Sequence, residues 1–299
     1  MNRRSFMASA TALASAPLVY AQAKPLVRLG LVADAQYADI EPLGTRHYRQ
    51  SIGKLGVAVE DFNRRELDLC VHLGDLIDRK WESFEGIKKS LAGLRHPIRH
   101  LFGNHDFDVL DEQKEKVPGQ MDLEKRYSFL DKGGFRLVFL DTTDVSTYAH
   151  ALRDDRTFEA VRQMTALEQQ GRPHAQPWNS AIGSSQMAWL KATCGEAADK
   201  GLKVVLFAHH PVYPANTHNL WNDAEMMAFA EANRAVVAWI NGHNHQGNFG
   251  VKAGVPYVTL QGMVETADTT AYAFADLHAD RIILKGVGRI PPRELLFRT

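Results

Sequence analysis

Apolar residues recur along this chain in two rhythms. Residues 26–33, 69–73, 97–102, 135–140, 203–208 and 235–240 are short, nearly continuous apolar runs. Their length and composition predict buried strands, mostly of the parallel kind. Between them, Ile52, Leu55, Val59 and Phe62 recur at gaps of three and four and predict an amphipathic helix over about 46–64. Further helices are expected over 82–94, along the stripe Met187, Leu190, Cys194 and Ala197, and over about 223–233, where Asn222 with Glu225 three residues on forms a capping signal. A strand over 127–130 would pair with 135–140 across the turn Lys132-Gly133-Gly134. Beyond residue 245 short strand-like runs cover 248–251, 256–260, 272–277 and 281–285. Strand and helix thus alternate in the first half, and the end is mostly strand. Residues 107–125 and 144–183 are polar and broken by Pro and Gly, and read as cap or insertion loops of one domain over 24–299.

Polar residues with useful chemistry stand where these apolar runs stop. Asp34 and Gln36 follow the first run, and Gly74-Asp75-Leu76-Ile77-Asp78 follows the second. Gly103-Asn104-His105-Asp106, then His209, and then Gly242-His243-Asn244-His245 follow the others. Each has an ordinary alternative: an aspartate after a strand caps a helix, an asparagine shapes a turn, and a lone histidine packs in a core. His243 and His245 are the stronger pair, because alternate residues of an extended segment project the same way. In open α/β sheets functional groups gather beyond the carboxyl ends of the strands. Asp34, Gln36, Asp75, Asn104, His209, His243 and His245 are all oxygen or imidazole donors, enough for two metal ions bridged by Asp75.

Composition adds exclusions. Lys+Arg and Asp+Glu are both 35, so no global field points to nucleic acid or a membrane surface. At 45% hydrophobic and 23% charged, the chain has globular composition. Residues 1–23 differ: Arg3-Arg4, a mildly apolar Ala/Ser/Thr/Leu stretch, then Ala21-Gln22-Ala23. This is the pattern of a cleavable signal peptide, and the paired arginines resemble a twin-arginine export signal, implying passage through that machinery and a periplasmic or secreted protein. No other run is long enough to span a bilayer. Cys70 and Cys194, the two cysteines, fall on apolar positions and are expected to be buried free thiols.

The ordered set D-x-[HQ], G-D-x-x-D, G-N-H-[DE], H and G-H-x-H resembles the signature of the calcineurin-like metallophosphoesterases. It spans Asp34 to His245. The resemblance implies an α/β fold: a four-layer α/β/β/α sandwich of two mixed β-sheets flanked by helices, carrying a dinuclear metal centre. It assigns Asp34, Gln36, Asp75 and His245 to one metal, and Asp75, Asn104, His209 and His243 to the other. It also places His105 as the phosphate-contacting acid and Asp78 as its carboxylate partner. Gln36 stands where most of the superfamily has His, and a neutral amide oxygen is a harder donor than imidazole, favouring Mn²⁺ or Mg²⁺ over Zn²⁺ or Fe. That variant is similar to the manganese-dependent ADP-ribose/CDP-alcohol diphosphatases. So are Asp34 to Asp39, Gly44-Thr45-Arg46, Gly262 to Ala267 and Leu284 to Pro291.

The implied activity is hydrolysis of a pyrophosphate bond by a metal-activated hydroxide, with His105 assisting the leaving group. The alternatives are another phosphoesterase on the same scaffold, such as a cyclic-nucleotide phosphodiesterase or phosphomonoesterase, and a non-catalytic nucleotide- or metal-binding protein. Tyr37, Trp221 and Asn179 are the candidates for contact with a nucleoside, and Arg46 and Arg79 for the second phosphate.

Overall fold

A computed structural model describes residues 24–298. The expected export signal lies outside the described residues. Two six-stranded sheets make the centre of the molecule. The first has the order β12 (Arg293–Leu296), β11 (Arg281–Gly288), β10 (Ala271–Leu277), β1 (Val27–Val32), β2 (Leu69–His72), β3 (Ile98–His100). The second runs β4 (Ser128–Lys132), β5 (Phe135–Phe139), β6 (Lys203–Phe207), β7 (Val236–Asn241), β9 (Val255–Thr259), β8 (Asn248–Lys252). Both sheets are mixed. β1, β2 and β3 are parallel, as are β5, β6, β7 and β9, while β10–β12, β4 and β8 pair antiparallel.

The period of two along each strand divides its side chains between two cores. Val27, Leu29 and Leu31 of β1 meet Phe135, Leu137 and Phe139 of β5, with Val205 and Phe207 of β6, in the layer between the sheets. Phe139 and Phe207 stack there at 5.6 Å. The outer face of the first sheet is covered by α1 (Ser51–Asn63) and α2 (Glu82–Leu91), through Leu55, Phe62, Phe84 and Ile87. The outer face of the second is covered by α6 (Ser184–Asp199) and α7 (Asp223–Ala232), through Met187, Leu190, Cys194 and Met226. The four-layer sandwich is therefore present. Cys70 and Cys194 are free and buried, and burial pushes both thiols up to about 12.

Three local expectations are corrected. Residues 144–183 are not all loop: α5 (Asp155–Gln169) crosses them, capped by the Asp154 carboxylate, which accepts from Arg156 N at 2.9 Å. Residues 107–125 hold the short helices α3 (Asp111–Lys114) and α4 (Val117–Gln120). The Asn222 side chain does not cap α7. Its Oδ1 accepts from Ile182 N, tying the start of α7 to the strand-like segment before α6.

Candidate metal centre

The segments that leave β1, β2, β3, β6 and β7 meet at one end of the two sheets and are cross-bonded through their backbones. Gln36 N donates to Asp75 O at 2.8 Å, Gly242 N to His209 O at 3.0 Å, and Val264 N to Asp34 O at 2.9 Å. These bonds hold the chain in conformations that side chains usually avoid. Asp34, Gln36, Asp75 and His243 have φ of 52°, 43°, 58° and 70°. Left-handed backbone at a non-glycine residue costs about 1–3 kcal/mol and persists only where the surroundings over-determine it. The glycines beside these donors have a steric reason. A Cβ on Gly103 would lie 2.1 Å from Asp75 Oδ1, and one on Gly74, itself at φ +94°, would lie 2.5 Å from His209 Nδ1.

Each of the three histidines is held by one ring nitrogen, which turns the other toward a shared space. His209 Nδ1 lies 2.7 Å from Leu73 O, His243 Nε2 2.9 Å from Asn179 Oδ1, and His245 Nδ1 2.8 Å from Glu265 Oε1. All three partners are acceptors, so the proton sits on the held nitrogen. The opposite nitrogens then converge on the carboxylates. His209 Nε2 is 3.4 Å from Asp75 Oδ2, 3.3 Å from Asn104 Oδ1 and 3.1 Å from His243 Nδ1, while His245 Nε2 is 3.6 Å from Asp34 Oδ1. Gln36 Nε2 contacts Asp75 Oδ2 at 2.9 Å and His245 Nε2 at 3.1 Å, and its Oε1 is buried with no hydrogen-bond partner. A crowd of buried acceptors with too few donors is the arrangement that a cation satisfies.

The titration behaviour agrees. Burial pushes the Asp34 carboxyl up to about 8; His209 opposes the rise and Asp75 adds to it. Burial works against Asp75 too, but His209 and His105 outweigh it and hold that carboxyl well below the usual range. Burial would depress His209, yet Asp75 lifts it to about 9, so a proton occupies His209 Nε2 unless a stronger cation displaces it. His243 and His245 are driven down by burial and stay neutral, as imidazole ligands must. Asp34, Asp75 and His209 bring ligand atoms within 4.8 Å of one another. His210 also brings a ring nitrogen within 4.8 Å of His209 and His243, but its nitrogens face Thr142 Oγ1 at 2.9 Å and Trp178 O at 3.3 Å. It backs the His243 ring rather than joining the donor set.

All seven expected donors are thus brought together. His105 N donates to Asp75 Oδ1 at 2.8 Å, and its Nδ1 lies 3.1 Å from Asp78 O and 3.3 Å from the buried Asp78 Oδ1. Nε2 is left as the ring nitrogen free for chemistry in a cavity of about 370 Å³, which His105 lines beside Gln36, Asp75, Asn104, His243 and His245. Arg46 completes that wall and approaches Glu265 at 3.8 Å. A larger groove of about 720 Å³ lies along α5 and the start of α6, bordered by none of these donors.

The other expected contacts are placed differently. Tyr37 packs against Gly86 of α2, where an added Cβ would sit 2.4 Å from its ring. Arg79 pairs with Asp78 Oδ2 at 2.5 Å and does not line the cavity. Asn179 and Trp221 are buried and do not close over the cavity. Asn179 holds His243, and Trp221 donates Nε1 to Gln176 O within the packing under α5.

Several residues that support the centre were not singled out from sequence. Asp106, fully buried, accepts from four backbone N–H groups: Asp75 and Gly103 on Oδ2, Leu76 and Ile77 on Oδ1. Burial and Asp75 push its carboxyl up to about 7, against those four donors. Glu265 orients His245, and that bond holds its own carboxyl near 2. Trp178 and His218 border the cavity. The available signals were the fourth position of the Gly-Asn-His-Asp motif and the Gly262–Ala267 stretch. Trp178 falls within residues 144–183, which the sequence presents only as a cap or insertion loop.

A two-sheet sandwich with carboxylates, imidazoles and amides converging at strand ends defines a metallophosphoesterase. Comparison with known proteins makes this specific: the calcineurin-like phosphoesterase family model matches residues 28–247, and the chain belongs to that family. A manganese-dependent ADP-ribose/CDP-alcohol diphosphatase of Homo sapiens is 29% identical over 319 aligned residues, covering 91% of this chain and 93% of the relative. One from Arabidopsis thaliana is 28% identical, covering 89% and 96%. Among solved structures, a dimetal phosphatase from Danio rerio matches with a TM-score of 0.83 at 24% identity, covering 92% of this chain and all of that one. The protein is a hydrolase of the metallophosphoesterase class.

Proposed function

We propose that this hydrolase cleaves the pyrophosphate bond of ADP-ribose and of CDP-alcohols, releasing a nucleoside monophosphate and a phosphorylated alcohol. The observation that carries the reading is the set of seven converging donors in a chain similar, over about nine-tenths of its length, to diphosphatases named for manganese. Asp34, Gln36, Asp75 and His245 would hold one divalent cation, and Asp75, Asn104, His209 and His243 a second. Such a pair lowers the pKa of water and offsets charge on phosphoryl oxygens.

The chain's own residues do the rest. Glu265 and Asn179 fix the tautomers of His245 and His243, so their other ring nitrogens stay turned toward the space the cations would occupy. Asp78 holds His105 Nδ1 and leaves Nε2 to give a proton to the departing phosphate oxygen. Arg46 offers a guanidinium at the cavity wall to the phosphate that is not attacked. Gln36 supports a preference for Mn²⁺ or Mg²⁺.

ADP-ribose, CDP-choline, cyclic AMP and p-nitrophenyl phosphate assayed side by side with Mn²⁺ test the reading. The two diphosphates should turn over fastest. Preferred turnover of cyclic AMP or the monoester would replace this reading with another phosphoesterase activity. Tight nucleotide binding without turnover would replace it with a binding role. The Arg3-Arg4 pair supports export of the folded chain; Arg3→Lys with Arg4→Lys should retain it in the cytoplasm, and unchanged export would refute that route.

A further inference from the structure

Trp178 is the indole among the residues that line the candidate active-site cavity. The residue is 41% exposed, an unusual state for tryptophan, while the cavity it borders is otherwise lined by charged, amide and imidazole groups. It is also fixed in place. Trp178 O contacts His210 Nε2 at 3.3 Å, and Thr147 Oγ1 donates to the neighbouring Pro177 O at 3.1 Å. The next residue, Asn179, ties three segments together. Its Nδ2 donates to His174 O at 2.9 Å and to Thr217 O at 2.8 Å, while its Oδ1 meets His243 Nε2. The loop carrying Trp178, the loop carrying His218 and a candidate ligand are thereby held in one register.

We propose that Trp178 is the platform on which the nucleobase of the substrate stacks, and so sets affinity for nucleotide over base-free diphosphates. This rests on the proposed nucleoside-diphosphate activity. An exposed indole at the border of a polar, partly enclosed cavity gains by covering a planar π system, and every base offers one. The larger overlap of indole with a purine favours adenine over cytosine. Tyr37 and Trp221 cannot serve, since one ring is packed on Gly86 and the other is buried.

The test has two arms. With Mn²⁺, Trp178→Ala should raise KM for ADP-ribose and CDP-choline by roughly five- to a hundred-fold with kcat little changed, as loss of base stacking does. KM for P1,P2-dimethyl diphosphate, which has no base, should not move, and Trp178→Phe should restore most of the affinity. Independently of turnover, with Mg²⁺, AMP should quench the fluorescence of the wild type more than that of Trp178→Phe, and ribose 5-phosphate should quench neither. Equal effects on base-containing and base-free diphosphates would overturn the proposal, as would AMP binding to Trp178→Ala with wild-type affinity. Absence of diphosphatase activity in the wild type, with Trp178-dependent AMP binding intact, would refute the substrate and leave the platform standing.

Discussion

Asp106→Asn is the substitution whose outcome follows most directly from the geometry. Asp106 does not line the candidate active-site cavity, yet its two oxygens accept from four buried backbone N–H groups, two on each oxygen, and join the turn after β2 to the turn after β3. Asparagine keeps one acceptor oxygen and replaces the other with an NH₂. In either orientation two N–H groups meet a donor where they had an acceptor. An unmade buried hydrogen bond costs about 1–3 kcal/mol, so the pair costs about 2–6 kcal/mol before relaxation. A value of about 3 kcal/mol corresponds to a fall in melting temperature of about 6–12 °C in a domain of this size class. The melt should be recorded in EDTA, so that metal binding does not contribute, and again with Mn²⁺. Because Asp75 N is one of the four donors, the Mn²⁺-induced rise in melting temperature should shrink as well. A variant that melts with the wild type in EDTA would refute the reasoning.

Other outcomes are equally specific. Glu265→Ala removes the acceptor that orients His245, and should weaken Mn²⁺ binding by about 10- to 100-fold in calorimetry, the usual cost of losing such a partner; unchanged affinity would contradict the role. Gly103→Ala should abolish activity, because its Cβ cannot coexist with the Asp75 carboxylate; wild-type turnover in that variant would contradict the close approach. His100, buried beside His72 with Nδ1 unpaired, is held by burial at about 4 instead of 6.5. The folded state refuses a proton that the unfolded chain accepts, so stability is complete above about pH 6.5 and falls toward pH 4, by about 3 kcal/mol for this residue. Melting curves in EDTA across that range should show a shallower loss for His100→Leu, and parallel curves would refute the assignment.

Much of the fold was legible because its strands are continuous apolar runs and its covering helices carry wide stripes. α5 was not. It buries only Thr157 and Ala160, with Met164 and Leu167 partly covered and the large apolar Phe158 and Val161 exposed, so its sequence lacks a strong apolar face. β12 escaped notice because only Leu295 of its four residues is buried. The donors were legible because each stands at the end of a run beside a glycine or a second polar residue. Their supports were harder to read, since Asp106, Glu265 and Asn179 act through backbone or ring nitrogens that only the folded chain brings near. Trp221 and Tyr37 were read as nucleoside contacts from their loops. Both find packing partners instead, as large aromatics commonly do when enough apolar area is at hand.

In the proposed mechanism the seven donors would hold two cations that share Asp75. Calorimetric titration of the metal-free protein with Mn²⁺, checked by elemental analysis of the loaded protein, should give two ions per chain for the wild type, and loss of both sites as a coupled pair in Asp75→Asn. Two ions bound by Asp75→Asn with wild-type affinity would contradict it.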